Sequence, residues 1–179
     1  FERFNIEALA TTESPLDDLL HHVTIRKGGW AGRVVTAYRP DNVVDPDSVG
    51  FLDNLKKFSE LTGEDALSWR GYLGAHRKRR AFFAVMGATS TDHGHPTART
   101  ADLSPADAES LFNRVVKGNA NPGDADLFRG QMLTEMARMS LDDKLVLQIH
   151  PGSWRNHNAP IFDRFGPNVG ADIPTRTDY

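Results

Sequence analysis

A histidine, an arginine and two asparagines crowd together just after the most strand-like apolar run of this chain. Residues 145–149 read as a buried parallel strand, and His150 closes it. Pro151 and Gly152 then turn the chain, and Arg155, Asn156, His157 and Asn158 follow. One loop thus combines a titratable group, a fixed cation and amide donors. In α/β folds the chemistry sits at the carboxyl ends of strands. The loop reads as the wall of a site for a polar, anionic small molecule.

Two more positions repeat that pattern. Arg39 ends an apolar run, and Pro40 after it enforces an extended or turn backbone. A guanidinium there can grip a carboxylate or hydroxyls bidentately; the plainer reading is a surface ion pair with Asp41. Asp92 follows Thr89, Ser90 and Thr91. It is placed to act as a base, to orient a histidine or to bind sugar hydroxyls, against the plain alternative of a turn aspartate before Gly94. His93-Gly94-His95 resembles a metal clip, since i and i+2 share a strand face. Gly94 and Pro96 break the strand, however, so a loop with one substrate-facing histidine is preferred.

The remaining basic and sulfur-bearing positions are read as structure. His21-His22 falls in a helix and His76 opens the basic run Arg77-Lys78-Arg79-Arg80, which is expected on a solvated helix face. Met132, Met136 and Met139 have core-packing spacing. Phosphate loops, a nucleophile elbow and dinucleotide fingerprints are absent.

The elements that position these residues alternate. Strand-competent stretches lie at 6–12, 33–38, 88–91 and 145–149. Helices are expected from Ser14-Pro15, by cap and first-turn proline, and over 46–61, 65–86, from Ser104-Pro105, 122–141 and 158–165. Strands separated by helices imply parallel pairing with crossover helices. Four such units fit half of an eight-fold β/α barrel or part of an open doubly wound sheet. No linker or internal boundary is visible, so 1–179 reads as one piece of a domain. The opening at Phe1 and the extended stretch 172–179 both look cut, which suggests the middle of a longer protein.

Composition narrows the class. The 179 residues carry a net charge of −3, 39% hydrophobic and 25% charged residues and no cysteine. That argues against a general nucleic-acid binder, and no apolar run is long enough to span a membrane. Disulfides and thiolate metal sites are excluded. A soluble, cytoplasmic protein is expected.

Taken together, Thr11-Thr12-Glu13-Ser14-Pro15-Leu16-Asp17-Asp18-Leu19, Tyr38-Arg39-Pro40-Asp41, Ser90-Thr91-Asp92-His93 and Gln148-Ile149-His150-Pro151-Gly152 with Arg155-Asn156-His157-Asn158 resemble the uronate (glucuronate) isomerase family in order and spacing, essentially along the whole chain. The resemblance implies membership of the amidohydrolase superfamily and a distorted (β/α)8 TIM-type barrel, of which this chain would be roughly the central half. It implies interconversion of D-glucuronate with D-fructuronate, and of D-galacturonate with D-tagaturonate, in hexuronate catabolism. His150 and Asp92 would be catalytic, and Arg39, Arg155 and His93 would bind substrate. One divalent metal, zinc by family habit, would take most of its ligands from outside this chain, with His150 a candidate neighbour. The family's first-strand His-x-His and last-strand Asp are not present, so the chain alone should be inactive. A related metal-dependent hydrolase or decarboxylase, or an inactive sugar-acid-binding half-barrel, are the alternatives. Exposed sheet edges predict a homo-oligomer.

Overall fold

The structure is a computed structural model that describes every residue except 1, 168, 170, 171, 178 and 179. Four strands, β1 (Ala8–Glu13), β2 (Arg33–Tyr38), β3 (Ser90–His93) and β4 (Val146–Ile149), form one parallel sheet in chain order. Thr12, Arg39, Asp92 and His150 accordingly lie at or just after the carboxyl ends, as the alternation predicts. The pairing is uneven. β1 and β2 pair from Ala8↔Arg33 to Glu13↔Tyr38, whereas β2 and β3 pair only through Ala37↔Ser90 and Tyr38↔Thr91.

Paired residues in a parallel sheet share a face. Tyr38, Thr91 and Leu147 face the helices, and Ala37, Ser90, Asp92 and Gln148 face the other way. The helical side holds α1 (Leu20–Lys27), α2 (Asp41–Val44), α3 (Phe51–Thr62), α4 (Trp69–Val85), α5 (Pro105–Val116) and α6 (Asp124–Asp143); α7 (Ala159–Phe165) follows β4. The core lies between α3, α4, α5 and α6. Phe58, Tyr72, Phe112, Phe128, Met132 and Met136 are fully buried there, and the Tyr72 and Phe112 rings stack at 4.8 Å. Each such side chain contributes about 1.5–3 kcal/mol by leaving water. Gly71 is required on α4, because a Cβ would come 2.2 Å from the Asp65 carbonyl oxygen.

Several boundaries differ from expectation for local reasons. No helix opens at Ser14-Pro15. The Ser14 hydroxyl accepts from Leu16 N, and the Asp17 and Asp18 carboxylates accept from Leu19 N and Leu20 N. These side-chain bonds offer the backbone an alternative to a helix, and α1 begins only at Leu20, after a left-handed Leu19. The 46–61 helix starts at Phe51, after Gly50 at φ 77°, and the 65–86 helix starts at Trp69, capped by Ser68. The third strand is displaced to Ser90–His93, so Asp92 lies within it. The stretch after 172 is not simply extended: Ile173–Pro174 (β6) pairs antiparallel with Ser153–Trp154 (β5). The two ends seen as cut, Phe1 and Tyr179, lie outside the described residues.

The basic run is also not a solvated face. Arg77 and Lys78 are exposed, but Arg79 and Arg80 are buried. Arg79 donates to the carbonyls of Pro15 and Asp17 at 2.7 and 2.6 Å. Arg80 pairs with Asp143 at the end of α6 and donates to Ser140. His76 is fully buried, with Nδ1 2.7 Å from the Tyr38 hydroxyl. Met132, Met136 and Met139 do pack in the core. Among the described residues no helix is long and apolar enough to cross a membrane.

Candidate active site

Three of the residues singled out in the sequence meet at the carboxyl edge of the sheet. Asp92 leaves β3 on the face opposite the helices, and one of its oxygens, Oδ2, is shared. His150 Nε2 lies 3.1 Å from it and Arg39 Nη1 lies 3.3 Å from it. Asp92 is nearly buried while the His150 side chain is 40% exposed, so the imidazole forms the solvent-facing side of the group. Such a carboxylate accepts from Nε2–H and thereby leaves Nδ1 as the ring's acceptor.

Two residues that the sequence offers only as an ion-pair partner and a strand breaker complete the cluster. Asp41, at the start of α2, accepts from Arg39 Nε at 2.8 Å and from the Gly94 amide at 3.1 and 3.2 Å. The surface ion pair considered as the plain reading of Arg39 therefore exists, and it coexists with the contact to Asp92. Gly94 leaves room for it. A Cβ there would come 2.5 Å from Arg39 Nη2, 2.7 Å from Asp41 Oδ2 and 3.1 Å from His150 Cε1. The sequence carries the signal in Arg-Pro-Asp and His-Gly-His, yet neither motif by itself announces that the two loops meet.

The other expected site residues stand elsewhere. His93 is fully buried on the helix-facing side, and its Nε2 lies 2.9 Å from the Thr91 hydroxyl. Burial holds its pKa well below the usual histidine value. His95 is also buried, not in an open loop, with its ring edge-on to His93 at 5.6 Å. Burial lowers its pKa, against the pull of Asp41 and Asp45. His93 Nδ1 and both His95 ring nitrogens have no hydrogen-bond partner among the described residues. Arg155 is half exposed and pairs with Asp172 at 3.6 Å, apart from the Asp92 group. Asn158 caps α7 by accepting from Ile161 N. Among the described residues no three His, Asp or Glu side chains are grouped to hold a metal ion.

The profile of the family described as glucuronate isomerase matches residues 1–178. The chain belongs to that family. Among curated relatives, uronate isomerases of Phenylobacterium zucineum and Xanthomonas oryzae pv. oryzae are 69% and 68% identical over all 179 residues. The chain spans only 37% and 38% of their lengths. It also superposes on the crystal structure of glucuronate isomerase from Caulobacter crescentus with a TM-score of 0.94 and 59% identity, covering all of this chain and 37% of that one. The uronate isomerase from Thermotoga maritima shares the fold at 23% identity, with a TM-score of 0.91 over 99% of this chain and 40% of its own.

Proposed function

We propose that this chain is the central part of a uronate isomerase, supplying one wall of its active site within a (β/α)8 barrel. The reading rests on one observation: a carboxylate, an imidazole and a guanidinium converge on a single oxygen at the carboxyl ends of parallel strands. Family membership and the high identity to curated uronate isomerases support it.

The reaction moves a proton between C2 and C1 of an open-chain hexuronate through a cis-enediol. It needs a base within hydrogen-bond reach of the carbon acid and a polarised oxygen beside it. Asp92, braced by Arg39, holds Nε2–H of His150, so Nδ1 is directed to take or return the proton. Arg39 Nη2 remains at the sheet edge for the uronate's oxygens. Arg155 and His93 keep a role in substrate binding only if the rest of the enzyme brings substrate to them.

A divalent metal, zinc in this reading, does not fit the described residues by themselves, because they offer no three-donor group. Its ligands would come from the remainder of the enzyme. The enzyme would work in the cytoplasm as a homo-oligomer. Leu9 on β1 and Val146 on β4, both exposed edge positions, are available for covering by further barrel strands.

The test is an assay of the purified full-length enzyme on D-glucuronate and D-galacturonate beside amide and ester substrates. Ketose formation from a uronate is expected. Hydrolysis or decarboxylation without isomerisation would overturn the reading, and the 179-residue chain alone is expected to show no turnover.

A further inference from the structure

We infer that Asp41 is a positioning residue for this site: it divides the Arg39 guanidinium so that one edge is anchored and the other reaches Asp92. The inference rests on the proposed reading of Arg39, Asp92 and His150 as the working group, and extends it to the carboxylate two residues after Arg39.

Arg39 Nε is spent on Asp41 Oδ2 at 2.8 Å, which fixes the plane of the guanidinium. Nη1 then falls 3.3 Å from Asp92 Oδ2, a separation that draws on Asp92 without claiming it. Without Asp41, the fork geometry of arginine and carboxylate favours a bidentate pair. Arg39 would then swing onto both Asp92 oxygens and compete with His150 for the contact it now makes at 3.1 Å. The same Asp41 carboxylate accepts from the Gly94 amide, so it also ties the loop after β2 to the loop after β3. Gly94 makes this junction possible from the other side, since a side chain there would collide with Arg39 and Asp41. A carboxylate that only balanced surface charge would not need both contacts.

Asp41→Asn in the full-length enzyme keeps the shape and removes the charge. Misplacement of the base affects the chemical step more than binding, so kcat should fall about tenfold or more while KM stays within about twofold. The discriminating measurement is a double-mutant cycle with Arg39→Lys. Because Asp41 acts through Arg39, the double variant should be no more than about twofold worse than Arg39→Lys alone. A merely structural role would make the losses multiply, and that result, or kcat unchanged in Asp41→Asn, overturns the inference. Should Asp41→Asn fail to fold, Gly94→Ala attacks the same junction without altering its charges. It should lower kcat similarly, and an unchanged kcat there would count against the inference. Crystal structures of the wild type and the tested variant separate the two readings. Arg39 displaced toward Asp92, in an enzyme that does not isomerise uronates, would keep the positioning role and remove the functional one. Arg39 unmoved in an active enzyme would do the reverse.

Discussion

Arg80 and Arg39 are each clasped by aspartate, yet they differ in what is left over. Arg80, fully buried between α4 and α6, spends Nε and Nη2 on Asp143, Nη2 also on Ser140, and Nη1 on the Met136 sulfur. Each of its three nitrogens finds a partner within the chain. Arg39 spends Nε on Asp41, reaches Asp92 at 3.3 Å, and keeps Nη2 beside the bare Gly94. The same ion pair is a fastener where it is saturated and a working group where it is not. Residue type does not separate the two; the remaining hydrogen-bonding capacity does.

The sharpest way to break this contrast is to remove the saturated member. Arg80→Met leaves Asp143 without its partner, and losing one member of a buried pair costs about 3 kcal/mol. Urea denaturation of the full-length enzyme should show that loss while turnover per folded molecule is kept; lost turnover with stability intact would erase the distinction. At the unsaturated site the effect should invert. Asp92→Asn or His150→Asn should cut kcat by about 10²-fold or more, with a melting temperature close to wild type.

A smaller effect concerns the histidine under the helices. Burial first, then the Arg80 and Arg77 charges, lower the His76 pKa to about 3, against about 6.5 when unfolded. Between those values the unfolded chain holds a proton that the native chain lacks. His76 therefore costs stability progressively as pH falls from about 6.5, and the cost levels off below about 3. His76→Gln offers Tyr38 an acceptor and does not titrate. Its stability relative to wild type should be roughly 1–2 kcal/mol better at pH 5 than at pH 7.5, read from paired denaturation curves; a difference independent of pH would show that His76 is not held neutral. The least consequential change is Lys56→Ala, which removes an exposed pair with Asp53 on α3. No resolvable shift in the unfolding midpoint is expected.

Much of this was legible in the sequence because strand ends advertise themselves. Arg39 and His150 each follow an apolar run and Asp92 follows a β-competent Thr-Ser-Thr stretch, and the parallel order of four strands then forces them to one edge. What the sequence hid was long-range. Arg79 and Arg80 read as solvated because nothing local announces the Pro15 and Asp17 carbonyls or Asp143, all more than 60 residues away along the chain. The helix expected at Ser14-Pro15 failed because capping residues serve tight turns equally well. Asp41 and Gly94 were visible as letters, but their joint role depends on two loops meeting across β2 and β3.

The uneven strand pairing has a consequence for how the sheet comes apart. β2 and β3 are joined only through Ala37↔Ser90 and Tyr38↔Thr91, at the carboxyl end that carries Arg39 and Asp92. A ladder fastened at one end frays from the other, so amide exchange in the first half of β2 can proceed on its β3 side while the last rungs stay closed. Breathing of this sheet is thereby directed away from the cluster, and the residues around Asp92 should be among the last to exchange their protons with water.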